Sequence, residues 1–328
     1  MLAAVITRPG PPDVLELREV PTPVPGAEQI LVRVRATALN RADLLQRRGH
    51  YPAPAGAPAD IPGLEYAGEV AALGPGARQW REGDRVFGLV GGGGHAEYVV
   101  VHERTAVRVP DALDWPSAGA VPEAFVTAHD ALRQADARPG DTALIHAVAS
   151  GVGLAAVQLA RAMGALPFGT SRSPDKLAAA RALGMVDGVA LADGLTPLDD
   201  AVSGWTGGRG VDVVLDLVGG DYLPASVEVL ATRGRLMLVG SLAGRSATVD
   251  LSTLLRRRLT VRGTVLRARP LEEKIMVARH FAAHVVPLLA AGTVHPVVDA
   301  VFPLEAAAEA YARLASNRVV GKVVLSMG

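Results

Sequence analysis

The first third of the chain alternates apolar and polar residues with the period of a half-buried β-strand. Residues 30–37, ILVRVRAT, place Ile30, Val32 and Val34 on one face and arginines on the other. Further short strands are predicted at residues 69–73, 85–90 and 95–101, and they are separated by glycine- and proline-rich turns. This pattern predicts a barrel or a sandwich over residues 1 to about 115.

From about Pro116 the pattern changes to apolar runs that alternate with helical segments. Such alternation predicts a parallel sheet with right-handed crossovers. A helix is expected at residues 271–291, ending at Gly292. Residues 295–304 and 318–327, on either side of a short helix through Ala312, return to β-like patterns that are expected to rejoin the first region. The apolar runs lie at residues 142–147, 166–170, 211–218 and 235–240.

Length and composition narrow the class of protein. The 328 residues are enough for two domains. Lysine plus arginine and aspartate plus glutamate both total 33, so the zero net charge argues against a nucleic-acid or polybasic membrane partner. No apolar run approaches the roughly 20 residues that a bilayer requires, and no secretory leader pattern is present, so we expect a cytoplasmic protein. With no cysteine, disulfides, cysteine-ligated zinc and cysteine nucleophiles are excluded.

A glycine turn joins the apolar run at 142–147 to an alanine-rich helix. The stretch reads HAVASGVGLAAVQLARAMGA, and Ser150, Gly151, Val152 and Gly153 lie at the start of the helix. Unpaired amides and the positive end of the helix dipole at such a turn favour a pyrophosphate. The full G-x-G-x-x-G fingerprint is absent because Ser150 occupies one glycine position. A tight turn that only packs the helix on the sheet explains the glycines equally well.

The end of the next predicted strand carries no acid to bind a ribose 2′-hydroxyl. Ser171, Arg172 and Lys176 follow that strand instead, and two of them are cationic. Basic residues at this position accommodate the 2′-phosphate of NADP, so the sequence favours NADPH over NADH. The alternative is a polar first turn of a solvated helix.

These residues carry a family resemblance. PGDTALIHAVASGVGLAAVQLAR resembles the signature of the zinc-free quinone oxidoreductases in the medium-chain dehydrogenase/reductase superfamily, with Gly140, Asp141, Gln158 and Arg161 in place. ALNRADLLQRRGHYP, IPGLEYAGEVAALGPG, GGGGHAEYV and VVGKVVL extend the similarity along nearly the whole chain, in the order of the tumour-suppressor-inducible branch.

The resemblance implies an α/β protein with two domains. Residues 1–120 and 265–328 would form a GroES-like β-rich catalytic domain, and residues 121–264 a Rossmann domain with a doubly wound parallel sheet that binds NADPH. It also implies a homodimer formed through the Rossmann sheets. RLTVRGTVL is the expected edge strand, because an exposed apolar edge needs a cover.

The resemblance further implies catalysis without a metal. Alcohol dehydrogenase relatives bind zinc through residues that here read Asn40 and Leu64, neither of which supplies the needed ligand. His280 and His284 share a helix face but lack an H-E-x-x-H pattern, and we interpret them as surface or interface residues. Quinones are strong electrophiles, so positioning at near-attack distance in a water-poor cleft can suffice for hydride transfer.

Residue-by-residue matching to the family gives the candidate site. Asn40 and Asp43 are expected beside the nicotinamide, although an Asx turn and an early-helix acid explain them as well. Tyr51, in a proline-rich loop, is expected to bond a quinone oxygen or the cofactor ribose, or else to be a simple anchoring aromatic. Thr127 matches a nicotinamide-ribose contact or a helix cap. The remaining cofactor candidates are Val218, Val239, Gly240, Ser241, Val265, Leu266, Arg267 and Lys322.

Three functions fit this sequence. The first is an NADPH-dependent, metal-independent reductase that transfers hydride to quinones. The second is an enoyl reductase of the same superfamily, acting on α,β-unsaturated carbonyls. The third is an NADPH-binding or RNA-binding protein without turnover, although LLRRRLTVRG is the one dense basic run and is better explained as a solvated helix end.

Overall fold

The computed structural model describes residues 1–192 and 194–328. The chain divides into two units, which we call the split unit, Met1–Val126 with Leu266–Gly328, and the central unit, Thr127–Val265. Within the described residues no helix is both long and apolar enough to cross a membrane.

The helices and strands are numbered in chain order. The split unit begins with β1 (Leu2–Ile6), β2 (Leu15–Glu19), β3 (Gln29–Ala38), α1 (Arg41–Arg47), β4 (Glu65–Leu73), β5 (Arg85–Leu89), β6 (Tyr98–His102), β7 (Val107–Arg108) and α2 (Trp115–Gly119). The central unit contains α3 (Thr127–Gln134), β8 (Thr142–Ile145), α4 (Gly151–Ala162), β9 (Leu166–Ser171), α5 (Pro174–Ala182), β10 (Asp187–Ala190), α6 (Pro197–Thr206), β11 (Val211–Asp216), α7 (Tyr222–Glu228), β12 (Leu230–Leu238), α8 (Leu251–Arg257) and β13 (Thr260–Gly263). The split unit resumes with α9 (Leu271–His284), α10 (Val286–Ala290), β14 (Val298–Pro303), α11 (Ala307–Ala315) and β15 (Lys322–Ser326).

A seven-stranded mixed sheet forms the split unit. Its order is β14-β15-β3-β4-β5-β7, and β6 also pairs with β3. The predicted alternation is confirmed, since Ile30, Val32 and Val34 of β3 are all buried. The expected return of the C-terminal segments is confirmed as well, because β15 pairs antiparallel with β3. The core of this unit is therefore shared by residues almost 300 positions apart.

A six-stranded parallel sheet forms the central unit, as the strand-helix alternation predicts. Its order is β10-β9-β8-β11-β12-β13. This is the doubly wound Rossmann order, in which the chain reverses direction across the sheet between β8 and β11. The fold class is α/β, with a GroES-like mixed sheet and a Rossmann parallel sheet.

The sequence pattern missed parts of this sheet. It gave no strand at β10, because DGVA is four residues long and only half-buried. It began β12 at residue 235, whereas the strand begins at Leu230. The early part contains Arg233, whose φ of 66° lies in the left-handed region, so the segment does not alternate as a regular strand.

The single helix expected at residues 271–291 is wrong. The structure has two helices, α9 and α10, that meet at Val285. Pro287 has no backbone N–H and its ring would clash with the carbonyl of Ala283, so one helix cannot run through it. The stop at Gly292 is confirmed by its φ of 68°.

The basic run LLRRRLTVRG covers the end of α8 and the edge strand β13, as expected. All four residues of β13 are exposed, and among the strands of residues 1–192 and 194–328 it pairs with β12 alone. An unpaired outer edge thus remains on the central sheet.

Candidate active site

The carboxyl ends of the parallel strands bring together most of the predicted cofactor residues of the central unit. β8 leads to the glycine turn, β9 ends at Ser171, and β11 and β12 lead to the loops at 217–221 and 239–249. In doubly wound sheets, ligands bind at this edge, beside the point where strand order reverses. The glycine turn follows β8, one of the two strands at that point.

The glycine turn begins helix α4 and is accessible to solvent at Ser150. Ser150 is the N-cap, and its Oγ accepts a hydrogen bond from the Gly153 amide at 3.1 Å. The amides of Gly151 and Val152 in the first turn have no intrahelical acceptor. A Cβ at Gly153 would lie 2.5 Å from the carbonyl oxygen of Val148, so only glycine allows this close packing of helix on strand. The geometry therefore fits both interpretations of the turn: Gly153 is needed for packing, and the free amides suit an anion.

Thr127 starts α3, and its hydroxyl is an orphaned polar group. Its Oγ1 is buried and has no hydrogen-bond partner among the described residues. A buried hydroxyl without a partner costs about 1–3 kcal/mol unless a ligand or water supplies one. The expected ribose contact would supply this missing partner.

The end of β9 presents cations to solvent. Ser171 is buried at the strand end and its Oγ accepts from the Ser173 amide at 3.3 Å. Arg172 is exposed and forms no ion pair with a described carboxylate, while Lys176 is half-buried in the first turn of α5. Burial raises the pKa of Tyr222, and the Arg172 guanidinium opposes that rise.

Asp216 organises the loops after β11 and β12. Its Oδ1 accepts from the amides of Val218 and Gly219, each at 2.8 Å. Its backbone oxygen accepts from Val239 at 2.8 Å and Gly240 at 3.3 Å. Predicted residues from two loops are thus fixed by one aspartate, and Ser241 follows them as an exposed residue. Burial raises the pKa of Asp216, whose Oδ2 has no partner among the described residues.

His146, which the sequence analysis left unassigned, ties three elements of this edge together. Burial lowers the pKa of His146 to about 3, so the ring is neutral. Ser226 donates its only hydroxyl proton to the Tyr222 carbonyl at 2.5 Å and must accept from His146 Nε2 at 2.8 Å. Nδ1 then accepts from the Thr170 hydroxyl at 2.9 Å. Because the ring cannot take a proton in the neutral range, its role is positional.

A buried ion pair lies in the split unit. The Lys322 ammonium donates to Glu65 Oε1 at 2.7 Å, to Asn40 Oδ1 at 2.6 Å and to the Leu39 carbonyl at 3.2 Å. Asn40 Nδ2 donates to the same Glu65 oxygen at 2.8 Å, and the Glu123 amide donates to the other at 2.7 Å. Burial raises the pKa of Glu65, and the ammonium and these donors oppose the rise.

This network bears on three expectations. Lys322 has three N–H donors and all three have partners within the split unit, so its expected cofactor contact stays a prediction. Asp43 is fully buried, and its two oxygens accept from the amides of Asn40 and Gly63, so it cannot touch a substrate and the capping interpretation applies. The side-chain amide of Asn40 likewise donates to Glu65 and accepts from Lys322, so Asn40 acts as a positioning residue.

Tyr51 and Arg267 form the other predicted part of the split unit. Arg267 lies 4.8 Å over the Tyr51 ring and donates to the Gly91 carbonyl, the Tyr51 carbonyl and Gln46 Oε1. Tyr51 is half-buried, and its hydroxyl has no partner among the described residues. Burial raises the pKa of Tyr51, so the phenol carries its proton. Among the three expected catalytic residues, it is the one with a polar atom still available.

Leu266 and Val265 stand on either side of the boundary between the units. Leu266 is half-buried in the split unit, and Val265 is 50% exposed at the end of the central unit. Their expected cofactor contacts stay predictions.

Sequence reasoning missed Glu65 and Glu123. Each is a lone carboxyl inside an apolar stretch, GLEYAG and AVPEAFV, and that contrast was the available signal. An ionisable residue in a buried segment needs a partner or a shifted pKa. Burial and the neighbouring Glu65 raise the pKa of Glu123 to about 8, so Glu123 is a neutral carboxyl at pH 7.

The described residues contain no group of three or more histidine, cysteine, aspartate or glutamate side chains arranged to hold a metal ion. His280 and His284 stack with ring centroids 6.0 Å apart on α9.

Two family models match the chain. Residues 26–111 match the alcohol dehydrogenase GroES-like domain, and residues 151–282 match the zinc-binding dehydrogenase model.

The chain also matches a relative of about its own length and part of a much longer protein. A quinone oxidoreductase of Pseudomonas aeruginosa is 35% identical over 96% of both chains. A component of the pikromycin polyketide synthase of Streptomyces venezuelae is also 35% identical, over 99% of this chain, but the chain spans only 8% of its length.

Solved structures share the whole fold. The quinone oxidoreductase of Thermus thermophilus, solved also in complex with NADPH, has a TM-score of 0.83 and 35% identity, over 99% of this chain and 100% of that one. The enoyl reductase CurK has a TM-score of 0.86 and 27% identity, over 100% of this chain and 99% of that one.

Proposed function

We propose that this chain, which belongs to the zinc-free quinone oxidoreductase family of the medium-chain dehydrogenase/reductase superfamily, uses NADPH to reduce quinones without a metal ion. The observation that carries the proposal is the glycine turn after β8 together with the exposed Arg172 at the end of β9. Full-length similarity to a quinone oxidoreductase supports the same activity.

The central unit is proposed to hold the dinucleotide. The free amides of Gly151 and Val152 are suited to the pyrophosphate, and the orphaned Thr127 hydroxyl to a ribose oxygen. Arg172 and Lys176 supply the charge that a 2′-phosphate needs, since a guanidinium binds phosphate with two parallel hydrogen bonds. When bound, the reduced nicotinamide supplies a hydride.

The split unit is proposed to orient the acceptor. The Tyr51 hydroxyl is protonated and unpartnered, so it can donate a hydrogen bond to a carbonyl oxygen on which negative charge develops. Arg267, stacked on the ring, fixes the Tyr51 loop through bonds to its backbone and to Gln46. A preorganised donor of this kind lowers the barrier because it need not reorient during the reaction.

The cofactor choice is tested by steady-state kinetics with NADPH and NADH. Charge-assisted hydrogen bonds contribute about 1.5–3 kcal/mol, so Arg172→Ala should raise the KM for NADPH roughly 10- to 100-fold and leave that for NADH unchanged. Arg181→Ala is the matched control, because Arg181 is an exposed arginine at the far end of α5 that pairs with Asp187. Equal use of NADH and NADPH by the unaltered protein would refute the assignment of Arg172 and Lys176.

A second candidate is reduction of α,β-unsaturated carbonyls. The similarity to CurK enoyl reductase and to a polyketide synthase component favours it. Stopped-flow oxidation of NADPH with a naphthoquinone and with a crotonyl thioester separates the two activities. A preference for the thioester would replace the quinone assignment without changing the cofactor.

A homodimer through the central sheet is also proposed. The exposed edge strand β13, with Val261 43% exposed, supports it. Light scattering after gel filtration should give twice the monomer mass, and Val261→Glu should halve it by placing like charges across the paired edges. A monomer at micromolar concentration would contradict this assembly.

A further inference from the structure

A small cavity within the split unit is lined in part by Glu123. Its walls are mostly apolar and come from β5, β7 and α9, with Phe87, Val107, Val277 and Phe281 among them. Glu123 and Lys274 are ionisable groups on the same walls. The cavity therefore connects the neutral carboxyl described above with one of the three lysines of the chain.

The volume of the cavity decides what it can hold. About 50 Å³ is open to water. A water needs about 10–15 Å³ by this measure, whereas a cavity that binds benzene measures about 150 Å³. The space accommodates about three to five waters and no aromatic ring. Waters also need polar partners, which Glu123, Lys274 and the two unused N–H groups of Arg267 can supply.

The charges around Glu123 keep its proton in place. Burial is the main cause of the raised pKa of Glu123, and the charges of Glu65 and Asp43 raise it further. The charges of Lys322 and Arg267 lower this pKa, but by less than burial raises it. Arg267 lines the cavity together with Glu123 and lies 4.8 Å over the Tyr51 ring, so it connects the two side chains. The Glu123 carboxyl also raises the pKa of Tyr51. Glu123 thus holds a proton in the neighbourhood of the residue that we assign to the acceptor oxygen.

Lys274 lies at the start of α9 and is half-buried. Burial and the nearby Arg267 lower the pKa of Lys274, and no described carboxylate pairs with it. An unpaired ammonium with a lowered pKa exchanges protons more readily than an ordinary lysine.

We propose that Glu123 stores the proton consumed by the reduction, and that water entering the cavity past Lys274 replaces it. The inference rests on the proposed reductase function. Overall, NADPH, one proton and the quinone give NADP⁺ and the hydroquinone. Hydride transfer leaves one acceptor oxygen anionic. The O–H bond of Glu123 breaks and its proton forms the new O–H bond, directly or through the Tyr51 hydroxyl. The resulting carboxylate takes a proton from cavity water, which solvent restores.

Two variants separately test Glu123 as the proton store and the cavity as the route by which protons reach it. Glu123→Gln removes the proton but keeps the shape, and should lower kcat at least about tenfold, within the 10²- to 10⁴-fold typical of general acids. Ala278→Leu fills the cavity and leaves Glu123 intact, and should lower kcat and enlarge the solvent isotope effect. Ala282→Leu is the matched control, because Ala282 is half-buried one turn further along α9 and does not line the cavity.

The pH profile gives a second signature. Activity should fall as pH rises through about 8, where Glu123 loses its proton, and this limb should be absent in Glu123→Gln. The first turnover of NADPH oxidation should stay within twofold of the unaltered protein, since hydride transfer precedes the proton. Unchanged kcat and an unchanged alkaline limb in Glu123→Gln would overturn the proposal. Identical behaviour of Ala278→Leu and Ala282→Leu would overturn the route.

Infrared spectroscopy tests the proposal without turnover. The band of a protonated carboxyl should disappear with a midpoint near pH 8 and be missing in Glu123→Gln. After transfer to D₂O this band should shift rapidly in the unaltered protein and in Ala282→Leu, but slowly in Ala278→Leu. If no quinone or enone is reduced, the proposed function fails. The hydrogen–deuterium exchange of the Glu123 carboxyl still decides whether protons reach Glu123 through the cavity. Equal exchange rates in the three proteins would refute the route.

Discussion

Replacing Lys322 by methionine should destabilise the split unit by about 3–5 kcal/mol. Methionine keeps most of the side-chain length but removes the ammonium, whose partners are Glu65, Asn40 and the Leu39 carbonyl. Both charged side chains are almost completely buried, at 5% and 0% exposure. Breaking a buried pair by removing one partner costs about 3–5 kcal/mol, because the remaining charge is left without compensation.

Two features of the structure act in opposite directions within that range. Glu65 keeps two donors, the Asn40 amide and the Glu123 backbone N–H. The Leu39 carbonyl and Asn40 Oδ1 each lose a donor, which costs about 1–3 kcal/mol per group if no water replaces it. The double variant Lys322→Met/Glu65→Gln removes both charges and should be more stable than Lys322→Met alone by about 2 kcal/mol.

The pH dependence follows from the Glu65 carboxyl. Burial raises the pKa of Glu65, and the ammonium that opposes this rise is lost in the variant. A carboxyl with a raised folded-state pKa contributes its stability at low pH and loses it as pH rises through that pKa. The deficit of Lys322→Met should therefore be smaller at pH 5 than at pH 8.

Urea unfolding followed by tryptophan fluorescence measures the effect. Trp80 and Trp115 lie in the split unit and Trp205 in the central unit, so a Trp205→Phe background reports the split unit alone. Lys274→Met is the matched control, since Lys274 has no carboxylate partner among the described residues, and it should cost less than about 1 kcal/mol. A deficit below 1 kcal/mol in Lys322→Met, or one that shrinks as pH rises, would refute the reasoning.

Two other changes have expected outcomes. Gly153→Ala should destabilise the central unit by about 1–3 kcal/mol and weaken NADPH binding, because its Cβ would meet the Val148 carbonyl at 2.5 Å. The control Gly204→Ala has open space around its Cβ in helix α6, so it should stabilise the protein by about 0.5–1 kcal/mol in the same urea assay. Equal effects of the two substitutions would contradict the packing argument. Glu123→Gln should gain stability relative to the unaltered protein as pH rises from 5 to 8. In the folded protein Glu123 has a pKa of about 8 and keeps its proton, whereas in the unfolded chain it has released that proton, so folding of the unaltered protein requires proton uptake. A stability difference that stays constant across this pH range would show that Glu123 is ionised when folded.

The candidate site was only partly predictable from the sequence. The glycine turn and the cations after β9 depend on short-range patterns, and the structure places them at the edge where the fold class puts ligands. Lys322 shows the limit. Its scarcity among 33 cationic residues drew attention to it, but the chain gives no sign that its partner is Glu65, 257 residues away.

The sequence by itself determined that a β-rich region is followed by a parallel sheet with alternating helices, and it located the glycine turn, because periods of two and 3.6 residues and glycine conformations are local properties of the chain. Only the tertiary structure decided which groups keep a free proton or a free hydrogen bond. Asp43 bonds Gly63 and Lys322 bonds Glu65, 20 and 257 residues away in sequence, whereas Tyr51 and Glu123 keep a proton that the proposed reaction can use. The protonation and availability of a side chain depend on burial and on surrounding charges, and these are fixed only when remote segments pack together.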